Sequence, residues 1–83
     1  TNRPPAYPLA ARHRRIEGDV VLRLSVDARG FVREVEVAQS SGEPMLDEAA
    51  VAAARAWRFL PAERAGRRVP DVVEAPVSFR LRR

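Results

Sequence analysis

The stretch that decides the fold is LDEAAVAAARAWRF, Leu46–Phe59. Its apolar residues recur at helical spacing and form one stripe, mostly of alanines, that ends in Trp57. Pro44 suits the first helical turn, and Arg55 and Arg58 suit the negative end of the helix dipole. Because alanines are small, the helix can lie close to a flat partner while Trp57 anchors its end. We therefore predict a helix over Leu46–Phe59 packed on a β-sheet.

The strands of this sheet lie on either side of that helix. Asp19–Asp27 alternates strictly between apolar and polar residues, which is typical of a half-buried strand. Phe31–Gln39 returns as the second arm of a hairpin, and a β-bulge at Arg33-Glu34 would correct the slip in its apolar phase. Asp71–Leu81 is the third strand. Pro76 lies within it and cannot donate to a ladder, so we expect an edge strand.

The remaining segments complete an α–β–β–α–β order. A short helix from Leu9 to about Ile16, ended by Gly18, precedes the strands and docks through a stripe that begins at Leu9. The segment Ala62–Pro70 is expected to be a polar loop. Residues 1–6 form an extended lead-in and residues 7–83 a single domain. The simplest arrangement is an α+β fold with a three-stranded antiparallel sheet in the order 2-1-3 and two helices on one face.

We expect this small domain to bury one compact core. At 83 residues it buries only about 60% of its unfolded surface, so every apolar stripe is needed. With no cysteine, no disulfide supports the core. The predicted core residues are Val20, Leu22, Leu24, Val35, Val37, Leu46, Ala50, Ala53, Trp57 and Phe59.

Composition places the chain outside several classes. No apolar run reaches the roughly 20 residues of a membrane span, and the N-terminus lacks the apolar segment of a signal peptide. We therefore expect a domain of a longer protein. The net charge is +4. The chain has no lysine, and acidic residues alternate with its 15 arginines. Since the rings of Phe31, Trp57, Phe59 and Phe79 fall at or beside core positions, nothing predicts a nucleic-acid surface.

Catalysis is not predicted either. His13 is the only histidine, and no set of three or four residues has metal-ligand spacing. Ser40-Ser41 has no base and no nucleophile-turn motif, and there is no glycine-rich phosphate loop. We expect neither an enzyme nor a bound cofactor or metal. The free edge of the third strand offers a third class of function, in which an extended peptide adds to the sheet. The alternative is an edge that proline merely protects from aggregation.

An ordered set of short motifs spans nearly the whole chain. The motifs are Tyr7-Pro8, Glu17-Gly18, the turn Val26–Gly30, Val32 with Val35 and Val37, Ser40-Ser41-Gly42, Leu46-Asp47, Ala49-Ala50, Trp57-Arg58-Phe59 with Pro61, and Pro76-Val77-Ser78-Phe79. In this order and at these spacings, they resemble the TonB C-terminal domain family. Some family members carry an arginine three residues after the tyrosine, where this chain has Ala10.

The resemblance implies a periplasmic domain of a membrane-anchored energy transducer. Such a domain binds the TonB box, a short extended segment of outer-membrane transporters for siderophores or cobalamin, and an ExbB–ExbD motor works through the upstream part of the protein. The implied peptide-binding residues are Pro5, Ala6, Tyr7, Val73, Glu74, Ala75, Val77, Ser78, Phe79 and Arg80. The alternative is an envelope scaffold of the TolA type. An isolated domain with a free edge could also exchange strands and dimerise.

Overall fold

The computed structural model describes residues 2–82, so the predictions that fall on Thr1 and Arg83 lie outside the described residues. The elements are α1 (Leu9–His13), β1 (Gly18–Val26), β2 (Val32–Gln39), α2 (Pro44–Ala54), β3 (Ala62–Arg64), β4 (Arg67–Val69) and β5 (Asp71–Phe79). Strands β2, β1 and β5 form an antiparallel sheet in that order. The predicted α+β class and the order 2-1-3 are therefore confirmed.

The core lies on the helix side of the sheet and is centred on β1. Alternate residues of β1 are buried because one face of the strand meets the helices and the other meets solvent. The buried apolar residues are Ala11, Val20, Leu22, Leu24, Val26, Leu46, Ala50, Ala54, Val77 and Phe79. No described side chain in this core is polar, so its stability comes from apolar burial and close packing.

Helix α2 ends five residues before the predicted Phe59, at Ala54, so the sequence prediction of its length was wrong. Arg58 instead forms a β-bridge with Phe31, and the N–H of Phe59 donates to the carbonyl of Gly30 at 2.9 Å. These tertiary hydrogen bonds outweigh the local helical preference of the segment. No basic residue therefore lies in the last turn of α2, and Trp57 lies outside the helix.

The buried stripe of α2 consists of Leu46, Ala50 and Ala54, spaced four residues apart, whereas the predicted Ala53 is half-buried. Val37, also predicted to lie in the core, keeps 39% of its surface exposed. It lines an open groove with Val51 and Arg55 because the small residues of α2 leave the outer edge of β2 partly uncovered. Val35, Trp57 and Phe59 are half-buried against the core.

The β1–β2 hairpin contains the predicted bulge. Ser25 pairs with Glu34 and Val26 with Val32, which leaves Arg33 as the extra residue. The carboxylate of Asp27 accepts hydrogen bonds from the N–H groups of Arg29 and Phe31, which fixes the turn.

The segment predicted as a polar loop is a second hairpin, β3–β4. Its turn residues Ala65 and Gly66 have φ values of 52° and 78°, and both being positive is typical of a type I′ turn. Alanine rarely adopts this conformation, so the usual Asn-Gly signal was missing from the sequence.

Helix α1 is also shorter than predicted, and Gly18 belongs to β1. Arg15 ends the helix with a φ of 55°; its N–H donates to the carbonyl of Arg12, and that of Ile16 donates to Ala11. This is a Schellman motif with arginine at the usual glycine position. The docking residue is Ala11, while Leu9 is 67% exposed.

No described helix is long and apolar enough to cross a membrane. Within residues 2–82, no group of three or more metal-ligating side chains is placed to hold an ion.

Gly30 is the position where a side chain would do most damage. Its φ is 92°, and a Cβ added there would lie 2.0 Å from the carbonyl oxygen of Phe59. We predict that Gly30→Ala lowers the free energy of unfolding by about 3–5 kcal/mol, because it adds a backbone clash to the cost of a left-handed alanine. Gly42→Ala is the control, since φ is 88° there with nothing within 4 Å of the added Cβ. Urea unfolding should show a loss of only about 1–2 kcal/mol for the control, and equal losses would contradict the proposed clash.

Asp47 joins helix α2 to the end of β2. Its carboxylate accepts hydrogen bonds from the hydroxyl of Ser40 and from both the N–H (3.0 Å) and the hydroxyl (2.7 Å) of Ser41. Burial acts to raise the pKa of Asp47, but these hydrogen bonds outweigh it and hold the pKa below its ordinary value. Because the folded pKa lies below the unfolded value of about 3.9, the stabilisation is complete above that pH and is lost as the pH falls through the folded pKa.

We predict that Asp47→Asn lowers the free energy of unfolding at neutral pH by about 0.5–1 kcal/mol, since the amide is a weaker acceptor. The difference from the wild type should shrink as the pH falls below about 3.9, the unfolded pKa, and through the lower folded pKa, where the carboxyl of the folded protein becomes protonated. Urea titrations at several pH values measure both effects. Glu48→Gln, on the exposed side of the same helix, is the matched control. A deficit for Asp47→Asn that does not change with pH would refute this role.

Candidate functional site: the free edge of strand β5

Strand β5 has one paired side and one free side. It pairs with β1 without a register shift, from Gly18 opposite Phe79 to Val26 opposite Asp71. No strand of the described chain pairs with its other side. The free side therefore presents a regular edge along the nine residues of the strand.

Pro76 identifies the backbone groups that face outward. It lies opposite Val21 in an uninterrupted ladder although it has no N–H, so its backbone points away from β1. By alternation, Val72, Glu74 and Ser78 also direct their N–H and C=O groups to the free side. The N–H of Val72 donates to the side chain of Asp71 at 2.8 Å, in agreement with this assignment.

The predicted peptide-binding residues fall into two sets. The side chains of Glu74 and Ser78 are exposed, and the backbone N–H and C=O groups of both residues point to the free side, as does the carbonyl of Pro76. The other four predicted residues within the strand have backbone N–H and C=O groups that point to β1 and side chains that are buried or half-buried on the helix side. They are Val73, Ala75, Val77 and Phe79. Arg80 follows the strand and forms an ion pair with Asp19 at 2.7 Å. The sequence identified the strand, but only the register separates the two sets.

The opposite edge of the sheet is less regular. Strand β2 has register shifts near both ends of its ladder with β1, and bulges of this kind disfavour the addition of another strand. On the outer face of the sheet, Arg23 of β1 pairs with Glu74 of β5 at 3.2 Å and with Glu36 of β2 at 3.6 Å, so charge does not distinguish the two edges. These exposed pairs contribute little stability. The edge of β5 is thus the better template for an incoming strand.

The lead-in is held on the domain at its Tyr7 end. The ring of Tyr7 meets that of Phe79 edge to face, with centroids 5.5 Å apart, and its hydroxyl donates to the carbonyl of Ile16. The side chain of Tyr7 is half-buried. Pro5 is half-buried and Ala6 is exposed. Tyr7 therefore links the lead-in to the last residue of β5.

The lead-in is also held near its start, a contact that the sequence did not reveal. The side chain of Asn2 donates to the carbonyl of Arg58 at 2.9 Å and accepts from its N–H at 2.7 Å. The indole N–H of Trp57 donates to the carbonyl of Arg3 at 2.7 Å. We call these contacts the latch. They explain why Trp57 is only half-buried, because its ring reaches outward to the lead-in.

The sequence of this chain matches a known protein family. The profile of the family described as "Gram-negative bacterial TonB protein C-terminal" matches residues 3–81. The chain belongs to the TonB C-terminal domain family. The match covers the lead-in from Arg3 onward, both helices and the complete three-stranded sheet.

Individual TonB proteins agree with this assignment. The chain is 42% identical over 80 residues to Protein tonB2 of Pseudomonas aeruginosa, covering 96% of this chain and 30% of that protein. It is 42% identical over 78 residues to Protein TonB of Xanthomonas campestris, covering 94% and 35%. The chain therefore spans about a third of the length of these relatives.

Solved TonB structures share the fold. The solution structure of the Pseudomonas aeruginosa TonB CTD superposes with a TM-score of 0.84 at 28% identity, covering 100% of this chain and 84% of that one. The Helicobacter pylori TonB-CTD gives a TM-score of 0.69 at 25% identity, covering 90% and 78%.

The latch can be tested without disturbing the core. We predict that Trp57→Phe, which keeps a ring but removes the N–H donor, increases fast backbone motion at Asn2 and Arg3, because the lead-in loses a hydrogen bond worth about 1 kcal/mol. Asn2→Ala should add to the effect, since it removes both bonds to Arg58. NMR relaxation measures the motion, with Val37→Ala, at an exposed position of β2, as a control variant outside the latch. An unchanged lead-in in the double variant would refute the latch.

Proposed function

We propose that this domain binds the TonB box of outer-membrane transporters by strand addition to β5 and transmits force to them. The observation that carries the proposal is the free edge of β5, with a regular ladder on one side and outward backbone groups at Val72, Glu74 and Ser78 on the other. An extended peptide paired there becomes a fourth strand, and main-chain hydrogen bonds supply its affinity. The domain acts as a binding module and not as an enzyme.

The geometry suits a contact that carries load. Each added hydrogen bond is worth about 0.5–1.5 kcal/mol net, so a short peptide binds weakly or moderately on its own. A pull along the strand direction loads these bonds in shear, and they share the force instead of breaking one at a time. Pro76 withholds one donor, which limits pairing between copies of the domain.

Family membership supports a proposal for the wider assembly. In the proposal, the domain lies in the periplasm, an upstream segment anchors the protein in the inner membrane, and an ExbB–ExbD motor supplies the work. The cargo would be iron-siderophore complexes or cobalamin. The lead-in residues Pro5, Ala6 and Tyr7 assist binding because Tyr7 contacts Phe79 at the end of the same strand.

The proposal is tested by titrating the domain with a synthetic TonB-box peptide in two N-methylated forms. In an added strand, alternate residues face β5, so methylating those N–H groups removes hydrogen bonds while methylating the intervening ones does not. We predict that one form binds at least two- to tenfold more weakly per methyl group than the other. Amide NMR shifts should be largest at Glu74 and Ser78.

The two peptides are matched controls for each other because they have the same composition and net charge. Equal affinity of the two forms would contradict strand addition. Amide NMR shifts confined to α1, with no shifts in β5, would show that the peptide binds at another site. Sedimentation of the free domain distinguishes a monomer with an open edge from a strand-exchanged dimer.

A further inference from the structure

A basic cleft lies at the end of the molecule where β5 leaves the sheet. Arg12 and His13 of α1, Arg15 after it, and Arg80 and Arg82 after β5 line a space of about 530 Å³ together with Leu81. The cleft exists because the Schellman turn at Arg15 brings the end of α1 against the segment that follows Phe79. Arginines that are far apart in the sequence therefore share one concave surface.

Among the described residues, carboxylates compensate only part of the positive charge of this cleft. Only Arg80 forms an ion pair there, with Asp19 at 2.7 Å. Glu17 lies beside the cleft and also contributes negative charge; one of its carboxylate oxygens accepts a hydrogen bond from the N–H of Leu81 at 2.7 Å. No described carboxylate lies within ion-pair distance of Arg12, Arg15 or Arg82. Guanidinium groups in this number match the charge and geometry of phosphate oxygens.

An exposed apolar side chain lies beside the cleft. Leu9 is 67% exposed and precedes Arg12 by three residues and His13 by four, so the three share one face of α1. Clusters of basic residues are attracted to anionic lipid surfaces, and an exposed apolar side chain beside such a cluster can enter the headgroup layer. A soluble polyanion would gain nothing from Leu9, and nucleic acid would require exposed rings beside the arginines.

We propose that this cleft binds the headgroup phosphates of an anionic phospholipid surface, with Leu9 entering the headgroup layer. The contact would hold the end of β5 at a membrane while the free edge remains available. The cleft shares Arg80 with the implied peptide-binding residues, and Arg12 lies over the ring of Tyr7. Arg82 lies away from the outward backbone groups of β5, so a variant at Arg82 tests the cleft separately from peptide binding.

Cosedimentation of the whole chain with vesicles tests the proposal. We expect binding to phosphatidylcholine vesicles that contain phosphatidylglycerol, and none to pure phosphatidylcholine. Arg12→Gln combined with Arg82→Gln should lower the partition coefficient about 25-fold, from about fivefold for each arginine. Arg12 lies over the ring of Tyr7, so its replacement could disturb that ring. Arg82 lies outside every helix and strand, so Arg82→Gln alone tests the cleft without this effect and should lower the partition coefficient about fivefold. Leu9→Ser should also weaken binding.

The matched control is Arg64→Gln with Arg67→Gln in the hairpin at the opposite end of β5, which removes the same charge. An equal loss for the control would reduce the effect to net charge and overturn the site. Inorganic pyrophosphate should compete with the vesicles if phosphate is the group recognised. Tighter binding to a polyglutamate peptide than to the vesicles would overturn the proposal in favour of an acidic protein partner.

Discussion

The structure depends on the central position of β1. This strand is hydrogen-bonded on both sides, and one face of it supplies Val20, Leu22 and Leu24 to the core. A domain this small has no second core, so both helices must cover the same face. Helix α2 does so with small residues, which lets its backbone approach the sheet closely. The other face is left to charged pairs such as Arg23 with Glu74.

A sheet of three strands necessarily has two edges, and this chain treats them differently. The β2 edge is distorted by bulges near both ends of its ladder, whereas β5 stays regular and carries one proline that points outward. The proline lowers the tendency of copies to pair but leaves the carbonyl groups and most N–H groups of that edge in place. The same feature therefore protects the domain and preserves a place for a strand from another protein.

Much of the fold could be predicted from sequence because local patterns and tertiary contacts agree there. The alternation in β1 and β5, the bulge at Arg33 and the strand order all follow from the requirement that apolar residues face one side. The failures occur where distant contacts overrule local preference. The end of α2 is drawn out of helix by Gly30 and Phe31, and Arg15 and Ala65 adopt conformations usually left to glycine. The strand that forms the candidate site was predictable, but its two sets of residues, the latch and the basic cleft depend on register and packing.

The latch has a mechanical consequence. A chain pulled from its N-terminal side transmits tension first to the bonds between Asn2 and Arg58 and then to that between Arg3 and Trp57. These bonds take the load in succession because Asn2 comes first along the chain, and residues 2–7, which span at most about 20 Å when extended, then carry the load to Tyr7. The lead-in and its latch would therefore take up the first part of an applied force, and the sheet would be loaded only after the latch had opened.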